Sequence, residues 1–385
     1  MRFLHTADWH VGKPIRGRSR MDEFERALGQ VVEIAVDQQV DAVLHAGDLY
    51  EHRSAAPDAD RLVFETLLAL HSLGIPVVAI PGNHDSALRL EAFAGLLRAV
   101  NVDMAARVLP PDQGGVVELG SRDGSESLRV ACVPFVPERR FGSAVELFDS
   151  TEAWFQSYAD GMGGLLDAMT AGFRDDAVNV VLAHLYADGA SLGGGEREVT
   201  IGRDYAVAPS RLPASASYIA LGHLHRPQRV RGSGAPARYS GSLIQLDFGE
   251  TEQDKSVAVV EAHPGRPAKV TEAPVTAGRR LVDVEGTLDQ IHIRAADLRD
   301  AYLRVFVDTD GPVPGIADRV RELLPNAVDV HLRYERAEDE APAAPLSSMK
   351  PREQFEAYYR SAHGSDADPS LLAAFDEIAT AEDDA

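Results

Sequence analysis

Cysteine is all but missing from this chain. The one thiol, Cys132, excludes an intrachain disulfide and any metal site built from several thiolates, so the fold needs no oxidising compartment. Long apolar runs are missing too. No stretch approaches the ~18–20 residues that span a bilayer, and the opening MRFLHTADWH lacks the charged-then-apolar order of a signal segment. A cytosolic protein with no membrane partner is the expectation. There is no Gly-x-x-x-x-Gly-Lys-[Ser/Thr] loop. Gly193–Gly195 follows no strand candidate and lacks the lysine, so a P-loop does not hold ATP here. Lysine is scarce, at four of 38 basic residues. The arginines suit two-point phosphate contacts, although GC-rich coding explains the bias equally well.

What is present is ordinary globular material. With 45% apolar and 25% charged residues the chain buries cores, and 385 residues suit two or three domains. The net charge of −22 is unevenly placed: residues 335–385 carry −9, which leaves −13 for residues 1–334. Such acidity argues against a wide, purely electrostatic DNA footprint. It leaves room for a site where divalent cations supply the positive charge.

Apolar periodicity predicts an α/β fold. Strands are expected at Phe3–Ala7, Asp41–Ala46 and Pro76–Pro81, alternating with helices at Asp22–Gln39, Pro57–Leu73 and Ser86–Ala99. That order implies a parallel sheet with right-handed crossovers. Further strands are expected at Leu128–Pro134, Asn179–His184, Ser217–Leu221 and Lys255–Glu261, with a long helical region over Ser143–Phe173. Residues 1–265 read as one layered domain and residues 275–335 as a small α+β module. Residues 337–349 have linker composition, and residues 350–385 read as a helical tail.

The polar residues that matter fall just past predicted strand ends, the edge where open α/β sheets bind ligands. Asp8 and His10 follow the first strand, Asp48 the second, and Asn83, His84 and Asp85 the third. His184 ends a later strand, and His223 and His225 follow another. On this reading all lie on one edge of one sheet. Singly such signals are weak: Asp329-Val-His331 repeats the Asp-x-His triplet with nothing useful around it. Together, two carboxylates, one amide and four imidazoles form an oxygen–nitrogen donor set that suits Mn²⁺, Fe²⁺ or Zn²⁺. Two ions ~3.5–4 Å apart, sharing the Asp48 carboxylate, would use every donor and would activate water against a phosphoryl group.

Asp8-x-His10, Gly47-Asp48, Gly82-Asn83-His84-Asp85, His184 and Gly222-His223-x-His225 resemble the motifs of the calcineurin-like metallophosphoesterases. The longer strings LHTADWHVGK, HAGDLY, PGNHDS, ALGHLH and YSGSLIQLDFGE resemble the bacterial SbcD family of exonuclease subunits over residues 1–262. The resemblance implies a layered phosphoesterase domain holding two Mn²⁺, a small capping module and a partner-binding tail. One ion would be held by Asp8, His10, Asp48 and His225, the other by Asp48, Asn83, His184 and His223. His84 would stand at the scissile phosphate and protonate the leaving oxygen.

Where some members carry a histidine implicated in handling DNA strands, this chain has Glu51. Its carboxylate is expected either to orient His84 or to be a solvated loop group; His52 is offset by one. His5 and His45 lie within strands, as core residues or as supports for the ligands. The loop carrying Lys13, Arg16, Arg18 and Arg20 is a candidate grip on DNA phosphate, with a solvated loop as the competing reading; Arg53, Arg139 and Arg140 are weaker candidates. The resemblance also implies a homodimer through helices within residues 57–99, and docking of an SbcC-type coiled-coil ATPase on the tail. Phe355, Tyr358, Tyr359, Leu371, Leu372, Phe375 and Ile378 are the apolar positions for that docking.

The function expected is therefore a metal-dependent 3′–5′ double-strand exonuclease and hairpin-opening endonuclease in DNA end processing. The rivals are a cyclic-nucleotide phosphodiesterase with the same motifs and an inactive scaffold that tethers the ATPase. The extra module and tail argue against the first, and the complete donor set argues against the second.

Overall fold

The computed structural model describes residues 1–137, 158–196, 206–334, 351–363 and 366–383, in two compact units, Met1–Val282 and Asp283–Ala385. The strands of the first unit are β1 (Arg2–Thr6), β2 (Ala42–His45), β3 (Val77–Ala79), β4 (Val102–Met104), β5 (Val116–Gly120), β6 (Ser127–Val133), β7 (Val178–His184), β8 (Tyr186–Ala187), β9 (Ala206–Val207), β10 (Tyr218–Gly222), β11 (Gln228–Arg229), β12 (Ala237–Tyr239), β13 (Ser256–Glu261) and β14 (Lys269–Pro274). Its helices are α1 (Met21–Asp37), α2 (Pro57–Ser72), α3 (Ala87–Arg98) and α4 (Tyr158–Thr170).

The expected single sheet is two six-stranded sheets, beside a short β8–β9 pair. One runs in the order β14-β13-β1-β2-β3-β4 and the other β11-β12-β10-β7-β6-β5. The central strands pair in parallel, β1-β2-β3-β4 and β6-β7-β10-β12, while β13, β14, β5 and β11 join antiparallel at the flanks. The reason lies in burial. Strand residues alternate between faces, and here both faces are covered. Phe3, Leu44 and Val78 point to the same core as Val130, Val180, Leu182 and Tyr218 of the facing sheet. The intervening residues Leu4, Val43 and Val77 pack under Phe24, Leu28, Leu62 and Leu67 of α1 and α2. Val181, Ile219 and Leu221 pack under Met162, Leu165 and Met169 of α4. Strands covered on both sides read as unbroken apolar runs, and each large side chain so buried contributes about 1.5–3 kcal/mol.

Local signals end the helices as the sequence indicates. Pro57 opens α2, and Ser86 caps α3 by accepting the Arg89 amide. Within the helical region expected over Ser143–Phe173, α4 begins at Tyr158, and residues 143–157 lie outside the described residues.

The strand β15 (Leu281–Gly286) spans the boundary, and the second unit goes on with α5 (Leu288–Arg294), β16 (Tyr302–Asp308), α6 (Ile316–Leu323) and β17 (Ala327–Arg333). These three strands form one sheet in chain order around buried Leu303, Val305 and Val307. Thr287 and Gln290 close a reciprocal cap on α5. The tail forms α7 (Pro351–His363) and α8 (Pro369–Asp383), joined by Phe355 stacked on Phe375 at 4.4 Å and by an Arg352–Asp376 ion pair. The linker expected at 337–349 lies outside the described residues.

Candidate metal centre

The loops beyond β1 and β2 stay zipped past the ends of their strands. Asp8 N donates to Gly47 O at 2.9 Å, and His10 N to Asp48 O at 3.0 Å. This brings Asp8, His10 and Asp48 together, with Asp8, His10, Asp48 and His223 all in the left-handed region at φ of 50°, 48°, 58° and 105°. Non-glycine residues hold such angles only where the surroundings over-determine them, as functional sites do. Gly82 has a different reason to be glycine: a Cβ there would run into the Asp48 carboxylate. The loop beyond β3 is tied to the loop beyond β2 by Asp85, whose oxygens accept the amides of Leu49 (3.1 Å), Tyr50 (3.0 Å) and Gly82 (3.0 Å).

All seven predicted donors meet at one rim, together with His84. Asp48 Oδ2 lies 3.5 Å from His10 Nε2 and 3.5 Å from His184 Nε2. Asn83 Oδ1 lies 2.9 Å from both His184 Nε2 and His223 Nδ1. Two donor clusters share Asp48: His10, Asp48 and His84 in one, and Asp8, Asp48 and His184 in the other, each within 4.8 Å. The His225 ring packs edge-on to that of His10 at 4.8 Å. The expectation of one sheet edge is corrected. Asp8, His10, Asp48 and Asn83 follow strands of one sheet, while His184, His223 and His225 come from β7 and the loop beyond β10 in the other.

Each imidazole is set by what its second nitrogen touches. His10 Nδ1 donates to Glu51 Oε2 at 2.9 Å, His184 Nδ1 to Ala46 O at 2.8 Å, and His225 Nδ1 to Glu250 Oε1 at 3.0 Å. His84 Nδ1 donates to the main-chain carbonyl of Glu51 at 2.8 Å, and its amide to Asp48 Oδ1 at 2.7 Å. The Glu51 carboxylate stands 3.5 Å from the His84 ring and instead grips His10 and Lys13 Nζ (2.9 Å).

Burial dominates the titration of the rim. It drives Asp48 well above the ordinary carboxylate range, helped by the charges of Asp85 and Asp8. It pushes Asp8 up to about 7, against the pull of His225. It holds His184 well below its ordinary value, with His223 adding to the effect. Burial alone would lower His225, but the Glu250 contact together with the charges of Asp8 and Glu196 raises that ring. Burial alone would raise Glu250, but Lys255 and His225 bring it down to about 2.

The donor chemistry fits a divalent cation. Asp8 Oδ2 is buried without a hydrogen-bond partner among the described residues, and burial raises both carboxylates, Asp8 despite the pull of His225 and Lys255, a cost that a bound cation would offset.

The other predicted residues sort by their contacts. Arg20 is corrected out of the phosphate-binding group: it is 1% exposed, forks onto Glu23 at 2.7 and 3.2 Å, and donates to Gln245 O. Lys13 is committed to Glu51. Arg16 and Arg18 are exposed, Arg16 lying 3.4 Å from Asp247 and over the Phe248 ring. Arg53 and His52 are exposed, and Arg139 and Arg140 lie outside the described residues. His45 Nδ1 accepts the Gly47 amide at 3.2 Å, and His5 Nδ1 meets Tyr218 Oη at 3.0 Å in the core between the sheets. Sequence reasoning missed Glu196, Glu250 and Lys255. The one legible signal was a glutamate and a rare lysine five residues apart at the head of an apolar strand.

Facing sheets with such a rim define a phosphoesterase domain, and residues 1–227 match the family model described as calcineurin-like phosphoesterase. Residues 277–363 match one described as type 5 capsule protein repressor C-terminal domain. The chain is 31% identical over 389 residues to the SbcD subunit of the SbcCD nuclease of Bacillus subtilis, covering 99% of this chain and 98% of that one. It is 32% identical over 369 residues to the SbcD subunit of the SbcCD nuclease of Rhodobacter capsulatus, covering 89% and 90%. Among solved structures it is similar to a dimetal phosphatase from Danio rerio, with a TM-score of 0.44 and 13% identity over 72% of this chain and 99% of that one. The chain belongs to the calcineurin-like phosphoesterases and, within them, to the family of SbcD subunits of SbcCD nucleases.

Proposed function

We propose that this chain is a metal-dependent DNA nuclease that hydrolyses phosphodiester bonds at the rim formed by Asp8, His10, Asp48, Asn83, His184, His223 and His225. The observation that carries the reading is the placement of Asp48 Oδ2 at 3.5 Å from imidazole nitrogens on both sides. One carboxylate so placed would serve two Mn²⁺ ions, with Asp8, His10 and His225 available to complete one site and Asn83, His184 and His223 the other. Two such ions supply the Lewis acidity that activates water and neutralises charge on the phosphoryl oxygens. The protein's own part is positional. The Asp48 carboxylate is aimed by the His84 amide. His84, with Nδ1 committed to Glu51 O, exchanges protons through Nε2 and serves the leaving oxygen.

The finer assignments follow the family. The chain works in the cytoplasm as a 3′–5′ double-strand exonuclease and hairpin-opening endonuclease, with an SbcC-type ATPase controlling access. Exposed Leu68, Leu88 and Leu96 on α2 and α3 support a homodimer through this region. Exposed Tyr358 and Leu371 on α7 and α8 support docking of the ATPase there. Arg16 and Arg18 remain the candidates for phosphate contact. No helix among the described residues is long and apolar enough to cross a membrane. The test is digestion of a blunt duplex and a hairpin with Mn²⁺, with and without the ATPase. Cleavage of both supports the reading, and hydrolysis of cyclic nucleotides alone overturns it.

A further inference from the structure

Two Lys–Glu–His units converge on the rim from opposite directions in the chain. In one, Lys13 Nζ donates to Glu51 Oε1 (2.9 Å) and Glu51 Oε2 accepts His10 Nδ1 (2.9 Å). In the other, Lys255 Nζ donates to Glu250 Oε2 (2.7 Å) and Glu250 Oε1 accepts His225 Nδ1 (3.0 Å). The two histidines they end on pack ring to ring at 4.8 Å. We propose that Glu51 and Glu250 are paired positioning residues that set His10 and His225 for one and the same ion, each glutamate being anchored by its own lysine. The inference rests on the two-ion reading above and extends it to residues outside the ligand set.

The chemistry is directional. An ionised carboxylate only accepts, so each Nδ1 must carry the hydrogen and each Nε2 must keep the lone pair that a cation needs. The Glu250 unit is fully satisfied. Its Oε2 also accepts the Leu246 amide at 2.9 Å, and the three ammonium hydrogens of Lys255 go to Glu250, to His225 O (2.9 Å) and to Gln253 Oε1 (3.0 Å). His225 is thus held at its ring by Glu250 and at its carbonyl by Lys255, while Glu196 Oε1 accepts its amide at 3.0 Å. A buried ion pair present only for stability has no need of a metal-facing ring as its third member, and such pairs contribute little net stability.

The experiment is calorimetric titration of the metal-stripped full chain with Mn²⁺. Glu250→Gln and Glu51→Gln are each expected to weaken the same one of two binding events by about 10–100-fold and to spare the other. In a His225→Ala background, Glu250→Gln is expected to add nothing; Glu51→Gln is expected to add nothing in a His10→Ala background. An equal loss in both backgrounds, or losses falling on different binding events, overturns the proposal. Should Glu250→Gln fail to fold, the Mn²⁺-loaded wild-type structure decides. Coordination through His225 Nε2, with Nδ1 still on Glu250, supports the proposal, and coordination through Nδ1 overturns it. Asp48→Asn separates the two levels. If that variant binds both ions with undiminished affinity, the two-ion reading itself fails and this inference goes with it; if it does not, silence at Glu250 overturns this inference alone.

Discussion

His84 reaches Glu51 through the main chain: its Nδ1 lies 2.8 Å from the Glu51 carbonyl and 3.5 Å from the nearer carboxylate oxygen. The orientation of the imidazole therefore does not depend on which side chain occupies position 51. Glu51→Ala should bind Mn²⁺ about 10–100-fold more weakly, because His10 loses its acceptor. Activity on a model phosphodiester should return when the metal is saturating. Activity that stays low at saturating Mn²⁺ would show that the carboxylate, not the carbonyl, sets His84.

His84→Ala should keep its metal and its fold while losing about 10²–10⁴ in the rate of phosphodiester hydrolysis, the usual weight of one proton-transfer group. Bis(p-nitrophenyl) phosphate turnover beside Mn²⁺ stoichiometry checks both halves. His84 also falls within one donor cluster with His10 and Asp48, so a drop in bound metal would make it a ligand instead.

Mn²⁺ binding should strengthen as pH rises. Asp8 titrates near 7, Asp48 lies well above the ordinary carboxylate range, and His225 is raised, so in acid the metal-free rim holds protons that a cation must displace. Each displaced proton gives about tenfold in affinity per pH unit, and the Asp8 contribution fades above its own value. Titrations in buffers of different ionisation enthalpy read the released protons directly. Affinity that is flat between about pH 5 and about pH 8 would remove the proton linkage.

Arg20→Ala should lower stability by about 3–5 kcal/mol, because Glu23 is left charged and buried. Duplex affinity should not change at temperatures where the variant is folded. Denaturant unfolding and a binding isotherm separate the two effects. Weaker DNA binding by a fully folded variant would return Arg20 to the phosphate contacts.

The donors were legible because each closes an apolar run, and a run that ends in Asp or His is conspicuous even in one sequence. Membership of two sheets was not legible. Pairing of β1 with β13 joins residues some 250 positions apart, and nothing local in either strand announces it. The edge strand β14, KVTEAP, is largely exposed and contains proline, so it carries no burial pattern. Arg20 was misread because a count of basic residues ignores partners, although Glu23 three positions on was in plain view. Glu250 closes the string YSGSLIQLDFGE and Lys255 follows five residues on, but nothing local marks their role, which depends on His225, 25 and 30 positions away.

Because the rim takes its oxygen donors and His10 from one layer and His184, His223 and His225 from the other, cations seated there would rivet the two halves of the sandwich at its open end. Loading should then be felt well away from the rim: β7 and β10, buried along their whole lengths, gain a fixed point at their carboxyl ends. Amide exchange along these two strands should slow on adding metal, which makes the stiffness of the sandwich a measure of ion occupancy.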